Sequence, residues 1–346
     1  MLVGITLPNM RILRFILLAA IGQITQAADI TVNNQPGAVA DFSSLSAALT
    51  AAESGDRLLI SGSATSYGAV TIPKSGLTLV GIGYLRSANN LPADASGNNH
   101  SVKFSLSLGV GSASISDLTV IGCEIATVNL SGSHSRVLFD RCYMDGFIYL
   151  EQENLTRFTR CYLVNGLSIS SSTNCSVVGS ILGGLALKDS AIASHCVIRS
   201  TAVLGWSVPS GGTVLGIDAT STASNLIVDS TSSSTNYAPS VFGSVTHSIG
   251  FGSIDLPSGA GNQEGLVKTS VVTATGSLDA AWVLTPTSAA KGAASDATDI
   301  GAFGGSSPYV LSGVPGAPRI TRLLVPAMAS PTTGLSIEVD INQDTP

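Results

Sequence analysis

Five side chains stand together in type and spacing. Arg141 and Arg160 lie 19 residues apart, and so do Tyr143 and Tyr162, with Asp140 beside the first pair. Guanidinium groups take carboxylates through paired N–H donors, and tyrosine rings offer flat apolar faces to a sugar ring. If the 19-residue spacing stacks these residues, two Arg and two Tyr share one face. That pattern suits an acidic glycan. It equally suits a ladder of surface ion pairs and stacked rings that binds nothing, and both readings stand on the residues alone. Asp145, Glu124, Glu151 and Glu153 fall in the same or adjoining stretch.

The same period runs through other columns. Cys123, Cys142 and Cys161 are spaced by 19, Ser180 follows after another 19, and Cys196 comes 16 later. Ile125, Met144, Leu163 and Leu182 form a second column, and Val120, Phe139, Phe158 and Val177 a third. A repeat this short cannot hold a helix pair, but it fits one turn of a solenoid of short strands stacked about 4.8 Å apart. Candidate strands include Arg136 to Phe139, Leu167 to Ile169, Ser176 to Val178 and Asn225 to Val228. If the cysteines face inward, Arg141, Tyr143, Arg160 and Tyr162 face outward or into the turn. Neighbouring coils bring cysteine Cα atoms within bridging range, yet their Cβ vectors run alike, which favours buried thiols over disulfides. Cys175 lies off that column.

Composition agrees with an all-β chain. Only 11% of the 346 residues are charged, against about 25% in an average soluble domain. Hydrophobic residues make up 44%, and 37 positions are Gly. The net charge of −6 gives no basic stripe for nucleic acid. No apolar run reaches the roughly 18 residues of a membrane span. Residues 1–27 read as a secretory signal, with Arg11 and Arg14 ahead of the apolar Phe15–Gly22 and small residues at Thr25-Gln26-Ala27. Cleavage near Ala27 or Ala28 leaves 14 basic against 22 acidic residues, a balance of −8. The expected location is extracytoplasmic, secreted or at the cell surface. No lipobox cysteine follows the apolar run.

One stretch alone carries helical periodicity. Leu45, Ala48, Leu49 and Ala52 share a face within Phe42–Ala52, which predicts a capping helix over about 42–54 with Asp41 or Ser43 as N-cap and Gly55 as stop. The repeat loosens after residue 200, where Trp206–Gly212 and Ser230–Pro239 read as protruding loops. Beyond residue 305, prolines at 308, 315, 318, 326 and 331 punctuate candidate strands Arg319–Val325 and Leu335–Ile341. These predict a C-terminal hairpin over 306–346 that packs on the last coil, caps it or pairs with a partner, self-association included. Asn-x-Ser/Thr triplets begin at Asn99, Asn129, Asn154 and Asn174.

Two segments resemble a known family. Gly55-Asp56-Arg57-Leu58-Leu59-Ile60, Tyr67 and the run Lys74–Gly83 resemble the opening coils of secreted right-handed parallel β-helix proteins of the pectate-lyase-like superfamily. Residues 284–305, ending in Asp299-Ile300-Gly301-Ala302-Phe303, resemble the segment that closes the last coils of bacterial members. The resemblance implies one right-handed parallel β-helix over residues 28–305. It leaves activity open, because that superfamily holds lyases, hydrolases, epimerases, adhesins and structural proteins.

The local motifs of its enzymes do not occur. There is no Asp-Asp pair, Gly-His-Gly, Arg-x-Lys, Asp-x-Asp-x-Asp or Asp-Pro-His. The histidines at 100, 134, 195 and 247 are not flanked by glycines, and the acids are scattered where calcium would want several converging. Gly81-Ile82-Gly83 has no helix after it to make a dinucleotide site. The expectation is a non-catalytic secreted or cell-surface protein with no metal and no cofactor, contacting an extracellular polysaccharide through Asp140, Arg141, Tyr143, Arg160 and Tyr162. One rival is a polysaccharide lyase or glycoside hydrolase whose groups come from separate coils, with Arg141, Arg160 and Asp140 at its centre and Lys188 or His195 nearby. A third reading is a structural or filament-forming solenoid, which needs an open end or edge.

Overall fold

The computed structural model describes residues 27–91, 99–109, 113–130, 132–199, 215–230, 240–241, 243–252, 254–316, 319–324 and 338–342. The expected signal segment and most of the expected loops at 206–212 and 230–239 lie outside the described residues.

The chain winds as a parallel β-helix. Strands of two to six residues stack into a ten-stranded sheet (sheet one, Asp29–Val32 to Ser244–Thr246), a nine-stranded sheet (sheet two, Ala69–Ile72 to Ile249–Phe251) and a five-stranded sheet (sheet three, Phe147–Glu151 to Ser240–Val241). Every pairing within them is parallel, with Val120, Phe139, Phe158 and Val177 in register on sheet one and Ile125, Met144, Leu163 and Leu182 on sheet two. These columns fill the interior, and the Phe139 and Phe158 rings stack 5.2 Å apart.

The cysteines are free thiols and all five are buried. Cys175 lines the interior too, in a column with Leu118, Val137 and Thr156. Burial pushes the Cys175 thiol up to about 11 and that of Cys196 to about 12, so neither is a ready nucleophile.

A single left-handed residue turns the chain from sheet one to sheet two. Gly122, Arg141, Arg160, Gly179, His195, Asn225 and His247 occupy that position with φ between 49° and 64°. A non-glycine residue there costs about 1–2 kcal/mol. The conformation persists because each amide donates along the stack: Gly122 to Asp140, Arg141 to Thr159, Arg160 to Val178, Gly179 to Ser194, His195 to Ser224 and Asn225 to Thr246, all at 2.9–3.1 Å.

Both ends of the coil are closed. At the start, helix α1 (Leu45–Ala51) buries Leu45, Ala48 and Leu49 against the first coils. It begins later than the sequence predicts, and Ser44 is its N-cap. The carboxylate of Asp41 instead accepts the backbone N–H and hydroxyl of Thr31, and Phe42 lies in a parallel bridge with Val32, which holds 41–42 extended. At the far end Ile254 and Leu256 join the interior, and Gln263 bridges Ile249.

The last coil strand is Ile249–Phe251. The sequence assigns coils as far as residue 305, but residues beyond 263 leave the stack and return along its outside. Strands Arg319–Leu324 and Glu338–Asn342 pair antiparallel as the expected hairpin. No helix among the described residues is long and apolar enough to cross a membrane.

Candidate functional site

The turn between sheets one and two carries the five residues singled out from the sequence. Asp140 accepts both arms of the Arg160 guanidinium, at 2.8 and 2.7 Å, and Arg141 stands 3.8 Å from the same carboxylate. Tyr143 and Tyr162 are in register and their rings stack 5.3 Å apart at 4°. The expected stacking is therefore present.

Exposure differs from the expectation. Asp140 and Arg141 are buried and Tyr162 is wholly so; Tyr143 and Arg160 are half-buried. The cover is the returning C-terminal segment, which meets the left-handed turn column in reverse order. Ser295 and Gly301 bond to Asn225, and Thr298 and Asp296 reach His195. A Cβ on Gly179 would collide with the carbonyl of Ser307, and one on Gly122 would lie 2.6 Å from Pro315. Arg141 donates 2.7 Å to the Val314 carbonyl. Glycine at 122 and 179 thus answers close approach as well as φ.

This strap buries a second apolar cluster outside the coil. The outward residues of sheet two, Tyr162, Ile181, Val197, Ile227 and Ile249, pack beneath Val271, Val272, Trp282, Ile300, Ala302 and Tyr309. Polar atoms under it are organised around Asp279, which is fully buried. Its carboxylate receives the Ser312 amide at 2.8 Å, the Asn89 side chain at 3.0 Å and the Tyr309 hydroxyl at 3.3 Å. Tyr309 and Tyr84 share a 2.6 Å hydrogen bond, and burial holds both phenols well above their usual range. Burial also pushes Tyr162 up to about 12. Arg199 donates to the Tyr162 hydroxyl at 2.5 Å and to the Val164 carbonyl at 2.6 Å, with its guanidinium 4.7 Å from the Tyr162 ring centre.

Sequence reasoning missed Tyr84, Asn89, Asp279, Tyr309 and Arg199. Asp279 and Tyr309 lie outside the repeat, so no period marked them. Of the rival catalytic set, His195 does fall on the turn column, two coils beyond Arg160. Its Nε2 lies 3.2 Å from the Thr298 hydroxyl and 3.5 Å from Asp296, and burial lowers its pKa. Lys188 follows the sheet-three strand Leu185–Leu187 and is not brought to the ladder.

One titratable group is enclosed elsewhere. Glu153 is buried in the turn from sheet three to sheet one. One carboxyl oxygen accepts from Thr156 at 3.0 Å and the other has no partner; burial pushes the carboxyl up to about 7. Among the described residues, no group of three His, Cys, Asp or Glu side chains is placed to hold a metal ion.

An open groove of about 440 Å³ lies on the outer face of sheet one, lined by Arg136, Val137, Leu138, Leu155, Arg157 and Thr159. Arg136 pairs with Asp117 at 2.5 and 2.7 Å, which holds that carboxyl down at about 2. Arg157 is exposed and forms no ion pair among the described residues.

Fold and site define the class: a parallel β-helix whose turn ladder is clamped by its own C-terminal strap. A crystal structure of pectate lyase Pel9A aligns with this chain at a TM-score of 0.41 and 11% identity, over 81% of this chain and 97% of that chain. No family model and no curated protein matches the chain.

Proposed function

We propose that this protein is an exported, non-catalytic β-helix that holds an acidic glycan on the open face of sheet one. The observation that carries the reading is the groove at Arg157. An apolar floor of Leu138 and Leu155 beside the exposed Arg157 guanidinium offers a ring-packing surface and charge-assisted donors together. In the ladder first singled out, Asp140, Arg141, Tyr143, Arg160 and Tyr162, the Asp140 carboxylate is held by Arg160, Arg141 donates to Val314 of the strap and the Tyr162 hydroxyl accepts from Arg199. Its role in this reading is to fasten the strap that leaves sheet one as the open face. Export rests on Arg11, Arg14 and the apolar Phe15–Gly22. The covered coil ends favour a binding scaffold over a filament built end to end.

The test is affinity electrophoresis of the mature protein against acidic and neutral polysaccharides, with and without calcium. Retardation by an acidic glycan without product is expected, and Arg157→Ala should weaken it about five- to tenfold while leaving the fold unchanged. Ultraviolet-absorbing unsaturated product or new reducing ends would establish the lyase or hydrolase instead. Intact mass of the secreted protein should show the first 27 or 28 residues removed.

A further inference from the structure

The open face of sheet one is long and narrow. Most of its strands are three residues long, about 10 Å, and ten of them stack about 4.8 Å apart. A linear polymer on this face therefore lies along the solenoid axis and meets one coil for about each sugar ring. The residues it meets first on successive strands are Thr119, Leu138, Arg157, Ser176, Ile192 and Thr222, which are in register.

Free charge on this face is sparse. Arg57 donates to both oxygens of Asp29 at 2.7 Å, and Arg136, in the turn into sheet one, is held by both oxygens of Asp117. Arg141 and Arg160 stand against Asp140 at the far edge. Arg157 is thus the one cation of this face without a carboxylate among the described residues. Its neighbours along the axis carry no charge: Leu138 one coil back, Ser176 one coil on and Ile192 two coils on, the last of them 50% exposed. A carboxylate laid over Leu138 or Ile192 gives up water for an apolar surface and gains no partner, which costs free energy.

We infer that this face selects a glycan whose acid groups are isolated: one uronate seated on Arg157, flanked by neutral sugars that lay their apolar faces on Leu138 and Ile192. The inference rests on the glycan reading of the Arg157 groove and names its ligand class. A homopolyuronate carries a carboxylate on every sugar. It finds one charged partner here and is penalised at each neighbouring coil. Thr159, half-buried two residues beyond Arg157 on the same strand, sets a hydroxyl beside the acid sugar. The discrimination comes from the cations that are missing as much as from the one that is present.

Calorimetry of the mature protein with three oligosaccharides of equal length tests the inference: a xylo-oligosaccharide bearing one glucuronate, the same xylo-oligosaccharide without it, and an oligogalacturonate. The single-acid ligand should bind about five- to tenfold tighter than the neutral one, and several-fold tighter than the oligogalacturonate. Tighter binding of the oligogalacturonate, or a steeper loss of its affinity with salt than the single-acid ligand shows, would overturn the inference and leave the glycan reading standing. Equal binding of the neutral ligand would overturn it as well. Failure of all three to bind would remove the glycan reading and this inference together. Ser176→Arg places a second cation one coil from Arg157 on a half-buried surface position. With an unchanged circular dichroism spectrum, it should raise oligogalacturonate affinity about five- to tenfold, and more than it raises that of the single-acid ligand. Equal gains, or none, would show that the number of free cations does not set the ligand class.

Discussion

Sheets one and two come from the same repeat, yet their outer faces have opposite fates. On sheet one the outward positions include Arg57, Thr78, Thr119, Leu138, Arg157, Ser176 and Thr222, half-buried or exposed. On sheet two, from Tyr143 onward, they are Tyr143, Tyr162, Ile181, Val197, Ile227 and Ile249, and all but Tyr143 are buried. The coil geometry does not distinguish them. The residue at one outward position per turn decides which face the strap closes over. A solenoid can thus choose its covered side without altering its interior.

The largest expected effect follows from that choice. Ile181→Asp should cost about 3–5 kcal/mol, because it sets an unpaired charge between sheet two and the strap. Ser176→Asp, in the same coil but on sheet one, should stay within about 0.5 kcal/mol. Chemical denaturation of both variants measures the contrast, and similar losses would erase the distinction between the faces. Arg141→Ala comes next, at about 1–3 kcal/mol, since the Val314 carbonyl loses a buried donor. Limited proteolysis should then cut the strap between 305 and 316 sooner, whereas Arg157→Ala should leave the cleavage pattern unchanged.

The smallest effects are pH-dependent and oppose each other. His195, under the strap, has its folded pKa lowered by burial. The unfolded chain then binds more proton, so its contribution is present above about pH 6.5 and fades as pH falls through that value. Protection of the Gly301 and Gly305 amides, measured against free-peptide exchange at each pH, should fall on acidification, and His195→Gln should flatten the response. Glu153, inside the coil, is raised to about 7. Its contribution is present below about pH 4.3 and is lost as pH rises toward 7. Glu153→Gln should stabilise the protein at pH 8 by roughly 1–2 kcal/mol, read from denaturation curves at pH 5 and pH 8.

The interior was legible because stacking repeats a residue type at a fixed interval. Val120 through Val177 and Ile125 through Leu182 declared both inner columns, and the 16-residue step from Ser180 to Cys196 was visible too. The covered face was also written in the chain. Tyr162-Leu163, Ile181-Leu182, Val197-Ile198 and Ile227-Val228 are adjacent apolar pairs, the mark of a parallel strand buried on both sides. Reading Tyr143 and Tyr162 as an outer platform overlooked the four aliphatic residues that continue their column. The strap itself carried no such signal. Its contacts come from single residues such as Asp279, Tyr309 and Val314, whose partners lie at the opposite end of the sequence and follow no period.

The Tyr84–Tyr309 bond joins residues 225 apart in the chain. Each coil can form on the one before it as the polypeptide lengthens, because its contacts lie about 19 residues back. The clamp cannot. Closing so long a loop adds only about 0.6 kcal/mol for each doubling of its length, but it needs both ends present at once. Any chain delivered from its N-terminus, through a ribosome or a pore, must therefore carry an apolar stripe along a half-built spiral until residues 271–309 arrive. The rate at which the molecule becomes safe from aggregation is set by the completion of delivery, and a truncated product would be marked by its uncovered side.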